Sequence, residues 1–208
     1  MGLKKTHSPD PLHEVVERAH PRDAQGLLTQ LREGDIEQRR WAARDLAGQH
    51  TAVVAMGERL LAEPEPRVRE ALFTTLTGMP TEATVTVLLP LLRSEDASLR
   101  NGAIEALAAM PRAVGPRIAA LLNDADPDVR IFTVNLFGEL RHDLVPQWLV
   151  QVMAQDAEVN VVAAAIEVLA EVGAPEHVGA LRSAARRFAG DPFIGFAAQV
   201  AEQRIQAG

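Results

Sequence analysis

The sequence predicts an all-α solenoid of about five to six stacked helical hairpins. Three observations carry this reading. Arg39, Arg69, Arg100 and Arg130 recur at steps of 30, 31 and 30 residues. An acidic residue stands four positions before each: Asp35, Glu65, Asp96 and Asp126. Small or apolar residues then follow three and seven positions after each arginine, which is the spacing of one helix face. A fixed period of this size means one structural unit used repeatedly.

Along the chain, residues 1–10 read as a tail, with Lys4 and Lys5 but no apolar run of the signal-peptide kind. Residues 11–208 read as a single repeat domain. It begins with a degenerate unit, one helix near Pro11–Ala19 and another near Ala24–Leu31. The motif helices start at Asp35, Glu65, Asp96 and Asp126, with further copies over 158–172 and 191–205. Each acid suits a helix N-cap, where its oxygen accepts orphaned N–H groups and its charge meets the positive helix end. Pro127 and Pro192 fit the first helical position. Ala42, Leu72, Ala103, Thr133 and Ala165, then Leu46, Leu76, Leu107, Phe137 and Leu169, form the inward stripe.

Second helices lie between these, with cores at 53–61, 85–92, 115–122, 145–153 and 176–188. Pro80, Pro111 and Pro175 punctuate the turns. Pro90 interrupts an apolar helical pattern, so a kink or break is expected there. One hairpin cannot bury its stripe alone, whereas stacked hairpins share a continuous core. The array ends on one unpaired helix, and irregular end units are the expected caps.

Composition narrows the function. The 208 residues include no cysteine, which excludes disulfides, thiolate metal sites and a cysteine nucleophile. No apolar run approaches the roughly 18 residues of a membrane span, and a cytoplasmic protein is expected. Net charge is −7 and the arginines are dispersed. With eight aromatics and no tyrosine, the chain lacks both the basic stripe and the stacking platforms of a nucleic-acid binder. No Ser-His-Asp order, glycine-rich phosphate loop or carboxylate pair stands out, so no enzyme is expected.

The pattern D-x-x-V-R-x-x-A-x-x-x-L, best seen at Asp126, Val129, Arg130 and Leu140, followed by an L-x-x-L-L helix, resembles the short HEAT-like repeat of phycobilin lyase subunits. It covers roughly residues 22–206. The resemblance implies that acid and arginine line the turns, each arginine bridging to the acid of a neighbouring unit. The other reading is an anion-binding row. Regular recurrence favours the scaffold role for Asp35, Arg39, Glu65, Arg69, Asp96, Arg100, Asp126 and Arg130, because a partner rarely matches every unit. Val162 and Gly195 occupy the arginine position in the last two units, where ladder contacts should be missing.

The resemblance also implies that the second helices line the concave side. Their outward row is small and polar, and Arg117, Gln147, Trp148, Gln151 and Arg186 are its candidate protein-binding residues. Trp148 is expected to pack against the next repeat, and Trp41 to be a packing residue. His13, Glu17 and His20 share a helix face, but a metal would need further ligands. HEAT-like iron hydroxylases use His-Glu pairs on several repeats. Here only His13-Glu14 keeps that order, so neither metal nor cofactor is expected. The reading is thus a non-enzymatic protein-interaction scaffold, an assembly or maturation factor for a larger complex, monomeric or weakly dimeric. The alternative is a bilin-lyase-like or other cofactor-handling protein with an enclosed apolar pocket. A third, a HEAT-like nucleic-acid enzyme, is opposed by the charge.

Overall fold

A computed structural model describes residues 20–207. The tail and the helix expected near Pro11–Ala19, with His13, Glu14 and Glu17, lie outside the described residues. Within them the chain is helical throughout. The motif helices are α2 (Ile36–Asp45), α4 (Pro66–Thr77), α6 (Ala97–Ala108), α8 (Pro127–Leu136), α10 (Val159–Val172) and α12 (Pro192–Ala207). The second helices are α1 (Ala24–Glu33), α3 (Val53–Ala62), α5 (Glu82–Leu88), α7 (Pro111–Leu122), α9 (Val145–Gln155) and α11 (Val178–Arg187). No described helix is long and apolar enough to cross a membrane.

Local chemistry sets the ends. Asp35, Asp96 and Asp126 each accept backbone N–H groups of the helix they precede, and Asp35 closes a capping box with Gln38. Glu65 precedes Pro66 and makes no such side-chain bond. Gly48 ends the α2 segment at φ 79°, a left-handed conformation that glycine adopts without steric cost. At Pro90 the predicted break is present. α5 stops at Leu88 and Leu89–Arg93 continue as a 3₁₀ turn, because proline lacks the N–H that an α-helix would need. By contrast α7 begins four residues earlier than Gly115, the start of its expected core, so Pro116 sits inside the helix.

The inward stripe is fully buried at all ten positions named from the sequence. Ile118, Leu121 and Leu122 of α7, and Leu149, Val152 and Met153 of α9, are buried with it. The core therefore runs unbroken along the array. Small residues set how closely the layers approach. A Cβ at Gly102 of α6 would lie 2.4 Å from the Phe73 ring of α4, and one at Gly57 of α3 would lie 2.7 Å from Val87 of α5.

Motif helices pack on one another more extensively than second helices do, most clearly α2 on α4, α8 on α10 and α10 on α12. The motif helices thus stack into one row and the second helices into another.

Candidate functional site

Two features remain once the core is accounted for: the arginine-bearing turns and the grooves between motif helices. In the turns each arginine reaches in two directions. Backward, it caps the carbonyl chain ahead of its own helix. Arg39 Nη1 donates to Gly34 O at 2.9 Å, Arg69 Nε to Glu63 O at 2.5 Å, Arg100 Nη1 to Ser94 O at 2.7 Å, and Arg130 Nη1 to Asp124 O at 2.8 Å. Forward, it meets a carboxylate of the following turn. Arg39 forks onto both oxygens of Glu63 at 2.9 Å each, and Arg130 onto Asp156 at 2.7 and 3.1 Å. Arg69 meets Asp96 at 2.7 Å.

The acceptor is thus a helix-capping acid only once, at Asp96. Elsewhere it belongs to a row the period analysis missed: Glu63, Asp124 and Asp156, with Ser94 in the same place. Each stands two residues before the expected acid and accepts that residue's backbone N–H, at 3.0, 3.2, 2.9 and 2.9 Å in chain order. This row repeats with the same spacing of about 31 residues, so the signal was present in the sequence.

Glu63 is the most enclosed member, with 0% of its side chain exposed. It also receives Arg59 Nε at 3.0 Å and Nη2 at 2.6 Å. Burial alone would raise its carboxyl pKa. The hydrogen bonds from Arg39, Arg59 and the Glu65 amide outweigh that, and the group sits below the usual carboxylate range. The Arg39 guanidinium is correspondingly raised, chiefly by its bond to Glu63. Asp96 is held down first by Arg69, and Arg130 is raised first by Asp156.

One rung differs. Arg93 takes both acids in front of Arg100, Asp124 at 2.5 Å and Asp126 at 3.3 Å. Arg100 lies instead over the Phe132 ring at 4.7 Å, with its Nε buried and unpartnered. At the last two motif positions Val162 is buried and Gly195 is exposed, so neither supplies a guanidinium. There Arg187 of α11 donates to Met153 O of α9 at 2.9 Å.

The five candidate residues lie on three second helices, α7, α9 and α11, and differ in their surroundings. Arg117 is engaged with Glu82 of α5 at 2.7 Å. Trp148 stacks on Phe137 at 5.4 Å and meets the tilted His142 ring at 4.7 Å, both within its own hairpin, and packs against the core. Gln147, Gln151 and Arg186 are exposed, with Gln151 bonded to Gln155 and Arg186 to Ser183. Trp41 is 49% exposed and so is not a buried packing residue. Among the described residues no three His, Asp or Glu side chains are grouped to hold a metal.

The larger grooves open on the motif helices. One, of about 620 Å³, lies between α4 and α6, with Arg69, Glu70, Phe73, Asn101, Gly102 and Glu105 in its walls. Another, of about 350 Å³, lies between α10 and α12, with Ile166, Glu167, Phe193, Phe196, Val200 and Arg204. A smaller depression of about 240 Å³ beside Arg130 and Asp156 includes Gln151.

A family model described as HEAT repeats matches residues 24–108 and 114–198. No curated protein matches the chain. Among solved structures, an engineered protein is similar at 20% identity and TM-score 0.41, covering 87% of this chain and 95% of its own. A designed armadillo repeat protein is similar at 17% identity and TM-score 0.38, covering 86% and 98%. Cex1p is similar at 13% identity and TM-score 0.48, covering 87% of this chain and 42% of its own. The family model spans most of the sequence over the same repeat that the arginine turns close, and the chain belongs to the HEAT-repeat family.

Proposed function

We propose that this protein is a non-enzymatic protein-interaction scaffold, serving assembly or maturation of a larger complex. The observation that carries this is the division of labour in each unit. Arginines and their acids are consumed in the turns, while the row of motif helices leaves open grooves between α4 and α6 and between α10 and α12. Such a surface binds by complementarity along its length. Catalysis generally wants an enclosed, water-poor site, and the cofactor-handling alternative expects an enclosed apolar pocket. The grooves described here are open and mixed in polarity. Gln147, Gln151 and Arg186, with Arg117 and Trp148, are a second patch within the same reading.

Affinity capture on the full chain tests it, with bound proteins identified by mass spectrometry and the purified protein checked by absorption and elemental analysis. A defined partner set should be enriched over an unrelated repeat protein. It should be reduced by substituting either Glu70, Asn101 and Glu105 together or the five second-helix residues together, with the helical circular dichroism unchanged. No enrichment, or a preparation carrying stoichiometric chromophore or metal, overturns the reading.

A further inference from the structure

The groove between α10 and α12 differs from the rest of the motif-helix row. In α12, Ile194, Ala198, Ala201 and Ile205 are buried, whereas Phe193, Phe196 and Val200 are 53%, 65% and 44% exposed. These three share one flank at helical spacing. Side-chain contacts orient that flank. Glu202 pairs with Arg182 of α11, while Arg204 lies 3.4 Å from Glu171 of α10. The apolar stripe lies on the Arg204 side, beside α10.

The stripe is not simply the bare end of a truncated stack. Phe196 and Val200 stand one and five residues after the motif position. In the motif helices with a neighbour on each side those places hold Glu70 and Thr74, Asn101 and Glu105, Ile131 and Asn135, and Ala163 and Glu167. Six of these eight stay exposed, Ile131 is half-buried and Ala163 is buried. Exposed apolar side chains at that register therefore face the open groove. The opposite wall is acidic, with Glu167 exposed and making no ion pair among the described residues. Further along the same row, Glu70 and Glu105 are exposed and likewise unpaired.

We propose that this groove docks a basic amphipathic helix of a partner protein, its apolar stripe seated on Phe193, Phe196 and Val200 and its lysine or arginine side chains facing Glu167 and Glu171. Helix-in-groove recognition supplies apolar anchors at helical spacing, and the acids, Glu167 unpaired and Glu171 only loosely held by Arg204 at 3.4 Å, select charge. A second copy of this chain suits the acidic wall less, since the chain carries −7 net charge. The inference rests on the scaffold reading and adds a surface and a partner class to it.

The test uses the full chain and three fluorescein-labelled 18-residue peptides read by anisotropy. One is an amphipathic helix with leucine and phenylalanine on one face and lysine beside it. The second replaces lysine by glutamate, and the third scrambles the first. The basic helix should bind at least about tenfold more tightly than either control, which corresponds to about 1.4 kcal/mol. Phe196→Ser with Val200→Ser should lower that affinity about tenfold or more. Glu167→Lys with Glu171→Lys should reverse the preference between lysine and glutamate peptides. All four positions are exposed, and thermal melts will show whether the variants stay folded.

Equal binding of all three peptides, no binding of any, or an unchanged preference in the charge-reversed protein overturns the proposal. So does sedimentation equilibrium showing a dimer that Phe196→Ser with Val200→Ser dissociates, because the second copy is then the occupant. If captured partners persist with the α12 variant, the scaffold reading stands and this surface is wrong. If nothing is captured by the unaltered chain, the scaffold reading itself fails.

Discussion

From α2 to α10 the turns are closed mainly by charge, whereas from α10 to α12 the stack is held mainly by apolar packing. Arg39, Arg69 and Arg130 each find a carboxylate 24, 27 and 26 residues ahead. Val162 ends that series. It is buried among Val161, Ala165, Ile166 and Leu169, and the residues 24 to 27 positions after it are Arg186, Arg187, Phe188 and Ala189, without an acid. There the arginine and the acid are absent together. At Arg100, whose acids Arg93 takes, the guanidinium rests on the Phe132 ring instead. The difference teaches that a charged rung forms only where both its ends are free to meet.

The sharpest way to break the comparison is to force a rung into the apolar end. Val162→Arg should destabilise the protein by about 4 kcal/mol, since the new charge is enclosed with no acid at the required distance. Urea denaturation checks this. A loss under about 1 kcal/mol would show that the turn can open to water there, and the distinction between the two regions would fall.

Next in size is the reverse experiment at the charged end. Glu63→Gln leaves Arg39 and Arg59, 14% and 21% exposed, without their shared anion, at a cost of about 3 kcal/mol. The sign with pH follows from the lowered Glu63 pKa. Its contribution is complete above the ordinary carboxylate range and is lost as pH falls through the lower folded value. The melting-temperature gap between wild type and Glu63→Gln should therefore be widest near neutrality and close in acid. A gap independent of pH would mean that Glu63 acts through shape rather than charge.

The period, the helix faces and the buried stripe were legible in the sequence because they depend on spacing alone. Leu46, Leu76, Leu107, Phe137 and Leu169 repeat at a fixed offset, and every one is buried. Of the arginine partners only Asp96, which takes Arg69, was legible from the acid four residues before. At Asp35 and Asp126 that acid serves its own helix N-terminus. The accepting row two residues earlier mixes Glu, Ser and Asp, which hides its regularity. The ring contact of Trp148 with His142 was not legible, because His142 sits in an irregular turn that no period describes. The close approach of α6 to Phe73 at Gly102 was not legible either, since it depends on how neighbouring helices pack. The apolar flank of α12 was visible as residues but not as a surface, because its exposure depends on which side α10 and α11 take.

The smallest effect concerns the substitute contact at the apolar end. Arg187 Nη1 bonds Met153 O, a carbonyl of the last turn of α9, while its guanidinium lies 4.5 Å from the centre of the Phe188 ring. It does from a second helix part of what the ladder arginines do from motif helices, satisfying an end carbonyl that has no helical partner. Unlike them it answers no carboxylate. Arg187→Lys keeps the charge but loses the planar fork and the ring contact, and Arg187→Ala loses all three. Arg187→Ala should cost about 1 kcal/mol, with Arg187→Lys intermediate. Because the acceptor is neutral, this cost should stay level between pH 7 and mild acid, where the Glu63 contribution declines. Hydrogen exchange would place the loss in α9 and α11 alone. A cost that tracked pH like that of Glu63→Gln would mean Arg187 belongs to a charged turn after all, and the array would then be held in one way from end to end.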